Sequence, residues 1–198
     1  MPLKTGALIV AAGMSSRMGD FKPMLKIGPI TLAQRIIITL RQAGADPIAV
    51  VTGHNADIFE KHLSNMGIVF LRNERYMETQ MFDSAKIGLE YMQNQCDRVL
   101  FTPVDIPLFT RRTVELLLDC GGQLAAPVFE GKEGHPLLLP TALIPRILDY
   151  SGSGGLAGAV QYCGMEKTQA PVDDSGAIFD ADTPEDYQEL LQRYNSLI

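Results

Sequence analysis

Cysteine is scarce in this chain. Cys96, Cys120 and Cys163 are the only three, and no two of them form a Cys-x-x-Cys pair. An odd, scattered set predicts buried thiols in a reducing compartment and argues against a disulfide frame or a cysteine zinc site. Long apolar runs are also missing. The run Ala7–Ala12 has six residues, too few for a membrane span or a signal-peptide core. The expectation is a soluble, cytoplasmic protein with no membrane partner. Positive charge is in deficit: 17 Lys and Arg face 23 Asp and Glu, a net −6. Such a surface repels a polyphosphate backbone and argues against a nucleic-acid partner. A local basic loop can still bind one phosphorylated metabolite inside an acidic protein. Repeats and low-complexity stretches are absent. With 46% hydrophobic and 20% charged residues, the composition excludes disorder. A chain of 198 residues buries about 70% of its unfolded surface and needs no covalent staple. No linker divides it, so residues 1–198 are expected to form one domain.

Short apolar runs alternate with amphipathic stretches, the pattern of an α/β fold with a mostly parallel sheet. Strands are predicted at 7–11, 48–52, 68–71, 98–102, 124–129, 137–139 and 178–179. Residues 7–11 are apolar on both faces, as a central parallel strand should be. Helices are predicted at 32–43, 57–66, 82–95, 111–119, 141–148 and from Pro184 through Tyr194. Thr31 and Gly44 read as the start and stop of the first. Thr183, Pro184 and the acids after them open the last. Residues 151–158 read as a glycine-rich loop. Met66, Met77, Met81 and Met92 read as packing residues.

The most informative segment follows the first strand: Ala11-Ala12-Gly13-Met14-Ser15-Ser16-Arg17-Met18-Gly19-Asp20-Phe21-Lys22-Pro23. Ligands of open α/β sheets gather beyond the carboxyl ends of strands. Gly13 allows a sharp turn and a close approach to phosphate. Ser15 and Ser16 add hydroxyl donors, and successive backbone N–H groups make an anion-binding concavity. Arg17 and Lys22, on a loop expected to be exposed, supply the positive charge that a triphosphate requires. The Gly-Lys-Ser/Thr ending of a Walker loop is absent, and Met18 stands where a dinucleotide fingerprint needs its third glycine.

This segment resembles the signature Ala-Ala-Gly-x-Ser-x-Arg-Met-Gly-x-x-Lys of the nucleotidyltransferases with a MobA-like NTP transferase domain, which include the molybdenum-cofactor nucleotidyltransferases. The resemblance covers essentially the whole chain. It implies a three-layer, Rossmann-like fold similar to the nucleotide-diphospho-sugar transferases. It is nearest to the cytidylyltransferase branch, because the guanylyltransferase branch usually has Ala-Gly-Gly where this chain has Ala11-Ala12-Gly13. In such enzymes a divalent metal, Mg, neutralises charge on the α-phosphate and departing pyrophosphate, and oxygen ligands hold it. Asp105, in Thr102-Pro103-Val104-Asp105-Ile106-Pro107-Leu108, resembles the family's Asp-x-Pro-Leu metal ligand. Asp182, with Asp180 as the alternative, lies in Asp180-Ala181-Asp182-Thr183-Pro184-Glu185-Asp186, which resembles a second family segment near the metal.

Other pieces match more loosely. Thr52 and Gly53 resemble a Val-Thr-Gly segment that contacts the nucleotide. Asn73 and Ser84 resemble a loop that reads base and ribose, although Glu74 stands where relatives often have Pro and the usual glycine between them is missing. Gly134-His135-Pro136 resembles an acceptor-side motif. Gly154 and Gly155 lie in a glycine-rich acceptor loop where Ala157 takes the place of a usual Arg. The implied activity is Mg-dependent transfer of CMP from CTP to molybdopterin cofactor, with a molybdoenzyme or its chaperone receiving the product. The alternatives are another NTP, another phosphorylated acceptor such as a sugar, polyol or small acid phosphate, or a catalytically idle nucleotide-binding protein of molybdoenzyme maturation.

Overall fold

The computed structural model describes residues 2–14 and 18–196. Strand β1, Thr5–Val10, is buried along its whole length. It lies between β4, Ile48–Thr52, and β6, Arg98–Pro103, and is parallel to both. Strand β5, Val69–Arg72, continues the parallel run beyond β4. On the other side β9, Leu137–Pro140, pairs antiparallel with β6 and with β7, Ala125–Phe129. Strand β10, Thr168–Pro171, closes that edge parallel to β7, and the two-residue β8, Lys132–Glu133, turns back on β7. The order is β10-β7-β9-β6-β1-β4-β5, a mostly parallel sheet with antiparallel pairing around β9.

Alternation along β1 assigns the two layers of helices. Ala7, Ile9 and Ala11 pack with α1 (Leu32–Gln42), α2 (Ala56–Leu63) and α4 (Arg111–Asp119). Leu8, Val10 and Ala12 pack with α3 (Met81–Met92), α5 (Ile144–Asp149) and α6 (Gly155–Tyr162). Side chains of a strand point alternately to opposite faces, and both sets here are apolar, so both faces must be covered. Gly88 brings α3 close to β1. A Cβ there would sit 2.3 Å from Cδ1 of the fully buried Leu8.

A small third cluster joins the hairpin of β2 (Lys26–Ile27) and β3 (Ile30–Thr31) to α7 (Pro184–Asn195) through Ile27, Leu32, Leu108, Ala181 and Leu190. Both helices that meet there start on capping boxes. Thr31 pairs with Gln34, and Thr183 with Asp186, each satisfying backbone donors of the first turn.

Three expectations are corrected. Ile178–Phe179 is not a strand. The preceding 3-10 turn, Ser175–Ala177, directs its Ala177 carbonyl to the His135 N–H at 2.8 Å. The edge position belongs to β10, whose Pro171 is tolerated because an edge strand has one unpaired side. The stretch 151–158 is not all loop. Gly154, at φ 93°, starts α6, which carries Ala159 and Val160 into the core. Met77 and Met81 do not pack inside. They are 72% and 55% exposed, on the turn before α3 and in its first turn, whereas Met92 is fully buried.

Candidate active site

A cleft opens where β1 and β6 end. Its floor is Val10 to Gly13, one wall is Pro103 to Asp105, and the facing wall is Tyr76, Thr79, Gln80, Met81 and Ser84. Lys22, Pro23 and Asp182 complete it. The floor is tied down from both neighbouring strands. The Ala11 N–H donates to the Val51 carbonyl at 2.9 Å, and the Val104 N–H to the Val10 carbonyl at 3.1 Å. The His54 N–H donates to the Ala12 carbonyl at 3.2 Å.

Asp105, Lys22 and Asp182 meet at one end. Lys22 Nζ lies 2.5 Å from Asp182 Oδ1 and 3.7 Å from Asp105 Oδ2. Local structure explains the meeting. Lys22 opens a 3-10 turn, Lys22–Met24, in which Pro23 supplies the fixed φ of a first turn. The Ala181 N–H donates to the Asp105 carbonyl at 2.9 Å. Ala181 is fully buried, so its neighbour Asp182 is presented to the cleft, while Asp180 is exposed. Asp186 accepts from the Thr183 hydroxyl at 2.8 Å and from the Thr183 and Asp182 N–H groups at 2.8 and 3.1 Å, which stabilises its ionised form and lowers its pKa.

Burial pushes the Asp105 carboxyl above the usual carboxylate range. Lys22 opposes that shift, and Asp182 and Asp180 add to it. The Lys22 side chain is only 9% exposed. The expectation of an exposed loop lysine is therefore corrected: the ammonium is drawn inward by two carboxylates. Ser15, Ser16 and Arg17 lie outside the described residues.

The remaining predicted residues divide. Ala11, Ala12, Gly13 and Ser84 line the cleft. Gly13 is not at positive φ, and a Cβ there would meet nothing within 4 Å among the described residues. A sharp turn is not what its missing side chain serves; it leaves space above the strand end. Gly53 is different, because a Cβ there would lie 2.7 Å from the Ala12 carbonyl oxygen and 2.8 Å from Tyr76 Cβ. It supports floor and wall from behind. Thr52 is fully buried and donates its hydroxyl to Glu60 Oε1 at 2.7 Å. Asn73, also buried, donates to Thr79 Oγ1 at 2.8 Å and Ser84 Oγ at 2.9 Å. It shapes the turn that puts Tyr76, Thr79 and Gln80 on the cleft. His135 stands away from the cleft lining, its Nδ1 3.4 Å from the Phe101 carbonyl, and burial lowers its pKa. Gly154 and Gly155 do not line the cleft; a Cβ on Gly155 would lie 3.8 Å from Cβ of Phe82, the residue after Met81 of the wall.

Sequence reasoning passed over Tyr76. Its ring centroid lies 5.8 Å from that of His54, which stacks edge-on with Phe21 at 5.7 Å. An aromatic ladder thus runs from the residue before Lys22 to the far wall. A single aromatic in a loop of Glu, Arg and Thr carried no periodicity to reveal it.

Two carboxylates gathered around one cation are an oxygen donor set that suits a hard divalent ion such as Mg or Mn. No cluster of three or more metal-ligating His, Cys, Asp or Glu side chains occurs among the described residues. Such an ion would draw its other ligands from elsewhere, as Mg does when it binds one or two carboxylates plus substrate phosphates.

The mostly parallel sheet with its cleft at the strand ends is the nucleotide-diphospho-sugar transferase fold, and the protein is a nucleotidyltransferase. The chain belongs to the family of the MobA-like NTP transferase domain, whose model matches residues 7–170. It is 25% identical over 194 residues to the molybdenum cofactor cytidylyltransferase of Escherichia coli (strain K12), covering 96% of this chain and 97% of that one. A solved nucleotidyl transferase from Methanothermobacter thermautotroptrophicus superposes with a TM-score of 0.85 at 20% identity, over 98% of this chain and 99% of that chain. Rv0371C of Mycobacterium tuberculosis H37Rv, solved as a manganese complex, gives 0.80 at 18% identity over 97% and 100%. No helix among the described residues is long and apolar enough to cross a membrane.

Proposed function

We propose that the protein transfers CMP from CTP to the terminal phosphate of molybdenum cofactor and releases pyrophosphate. The observation that carries this reading is the meeting of Lys22, Asp105 and Asp182 beside the open floor at Gly13. Asp105 and Asp182 would hold a divalent metal, Mg. Bound there, it supplies positive charge to the α-phosphate and the departing pyrophosphate. Lys22 and Arg17 bind the triphosphate and stabilise charge that develops on it. The Ala11–Gly13 backbone sets the depth of the nucleotide. The Ala12 methyl narrows the floor in favour of a pyrimidine, and groups of the 73–80 turn read the base edge. The acceptor phosphate is already ionised near neutral pH, so the protein's task is to align it with the α-phosphorus rather than to remove a proton. Similarity to a cytidylyltransferase along nearly the whole chain supports the choice of CTP and acceptor.

Ala157, where relatives often carry an acceptor-loop Arg, favours one second reading: the same transfer to a sugar, polyol or small acid phosphate. One experiment separates the readings. The protein is incubated with each NTP, Mg and either molybdenum cofactor or a panel of phosphorylated acceptors, and products are weighed by mass spectrometry. CMP–molybdopterin with stoichiometric pyrophosphate is expected. GTP outperforming CTP would overturn the cytidylyl choice, and nucleotide binding without pyrophosphate release would indicate an idle binder.

A further inference from the structure

Lys22 holds the two carboxylates that the reading above gives to the metal. Its Nζ sits 2.5 Å from Asp182 and 3.7 Å from Asp105. The stem is fixed by the 3-10 turn at Pro23, and the side chain is 9% exposed. An ammonium so held satisfies the acids as a bound cation would. A divalent ion approaching the same oxygens meets a like charge at contact distance, where repulsion is strong even at an effective dielectric near 20. The ammonium must leave before the ion can settle. Leaving the acids strips a nearly buried charge of its partners, which is unfavourable unless another anion receives it. A phosphate in the cleft can be that anion. Lys22 lines the same cleft as Gly13, so the ammonium can exchange carboxylate for phosphate by side-chain rotation alone.

We propose that Lys22 is a resident cation that keeps the metal off Asp105 and Asp182 until a triphosphate takes the lysine over. The inference rests on the assignment of those two acids to the metal. Its consequence is a coupling: metal and nucleotide each raise the affinity for the other, beyond their own association in solution. Without nucleotide the protein retains metal poorly. With nucleotide, one movement of Lys22 both completes the phosphate site and vacates the metal site.

The test measures Mn binding to the nucleotide-free protein by electron paramagnetic resonance. Wild type is compared with Lys22→Met, Lys22→Arg, Asp105→Asn and the Lys22→Met/Asp105→Asn double variant. Lys22→Met should bind Mn at least about tenfold more tightly than wild type, a shift within the usual range of coupling between sites. Lys22→Arg, which keeps the cation, should show no such gain, and the double variant should lose it. Mn binding equally tight in wild type and Lys22→Met, yet weakened by Asp105→Asn, would overturn the lysine role and leave the metal assignment standing. Mn binding unaffected by Asp105→Asn in either background would overturn both. Wild type alone gives a second readout should Lys22→Met fail to fold. Reductive methylation of Lys22, followed by mass spectrometry, should be unchanged at Mn concentrations too low to fill the nucleotide-free site and faster once resonance shows the site saturated, because only then has the ion expelled the ammonium. A rate unchanged or slowed at saturation would refute the proposal.

Discussion

The charged end of the cleft and the glycine-rich shoulder behind its Met81 wall are made of different materials. At one, Lys22, Asp105 and Asp182 converge from segments up to 160 residues apart, and charge holds them together. At the other, the turn before α6 is glycine and serine, and its shape is imposed from outside. Lys86 Nζ donates to the carbonyls of Leu148 and Tyr150 at 3.0 and 2.6 Å while lying 4.8 Å from the Phe82 ring centroid. The Tyr150 hydroxyl donates to the Ser153 carbonyl at 2.5 Å. The charged shoulder carries side chains that can act on phosphate, whereas the glycine shoulder presents backbone. On the function proposed above, transfer chemistry would belong to the first, and fit to an acceptor to the second.

That contrast can be broken most sharply at Asp105. Asp105→Asn removes one anion of the proposed metal site and should lower turnover by roughly a hundredfold or more, in the range seen when one oriented electrostatic group is lost. The fold should survive, since burial already disfavours the charged form of this group. Steady-state kinetics with thermal denaturation checks both.

Lys22→Ala should damage turnover and, unlike a change on an exposed loop, also stability. It leaves two carboxylates without the ammonium between them, a loss of about 1–3 kcal/mol after discounting a buried pair for partial exposure. The sign of the pH effect follows from Asp105. Its folded pKa lies above the unfolded one, so the folded state binds more protons in that window, and stability falls as pH rises through it. Removing Lys22 widens the window upward. Denaturation of the variant should therefore approach wild type at acid pH and diverge from it toward neutrality. A constant gap across pH would show that Lys22 acts through packing instead.

Two glycines sharpen the comparison within the floor. Gly53→Ala forces a methyl against the Ala12 carbonyl and should cost about 1–3 kcal/mol, as overpacking does. Gly13→Ala meets no described neighbour, so its melting temperature should hold while KM for the nucleotide rises. If Gly13→Ala melted early and bound normally, the open floor would be structural. The smallest effect is expected at His135. Burial lowers its pKa, so the unfolded state takes up the proton first as pH falls below about 6.5. Stability contributed by the neutral ring is lost over that descent, and His135→Gln should flatten the profile in urea titrations without changing turnover.

What could be read from sequence follows the same division. Strand β1 is apolar on both faces, so its burial and central position were legible in its residues, and β4 and β6 were legible as strands from their short apolar runs. The strand 168–171 was not, because Thr-Gln-Ala-Pro at a sheet edge has neither alternation nor β-branched density. Helix α6 was hidden behind four glycines in the eight residues 151–158. At the site, Asp105 and Asp182 were visible as motifs in their own segments. Their meeting around Lys22 was not, since it depends on one backbone bond from Ala181 to Asp105 and on the burial of a methyl group. Tyr76 and the outward-facing Met77 and Met81 were unreadable for a related reason: a turn shaped by Asn73 decides where they point.

The missing side chain of Gly88 makes the width of the nucleotide cleft a property of the core. Helix α3 rests on Leu8 through that gap, and Met81 and Ser84 of its first turns form the cleft wall. At 1.5 Å per residue, Gly88 lies about 10 Å along the helix from Met81. The arrangement is that of a calliper, with the spacer at one end and the jaw at the other. Changes in residue volume beneath α3 would open or close the jaw by fractions of an ångström without altering any group that touches the nucleotide. Cleft width can therefore change through substitutions outside the cleft lining.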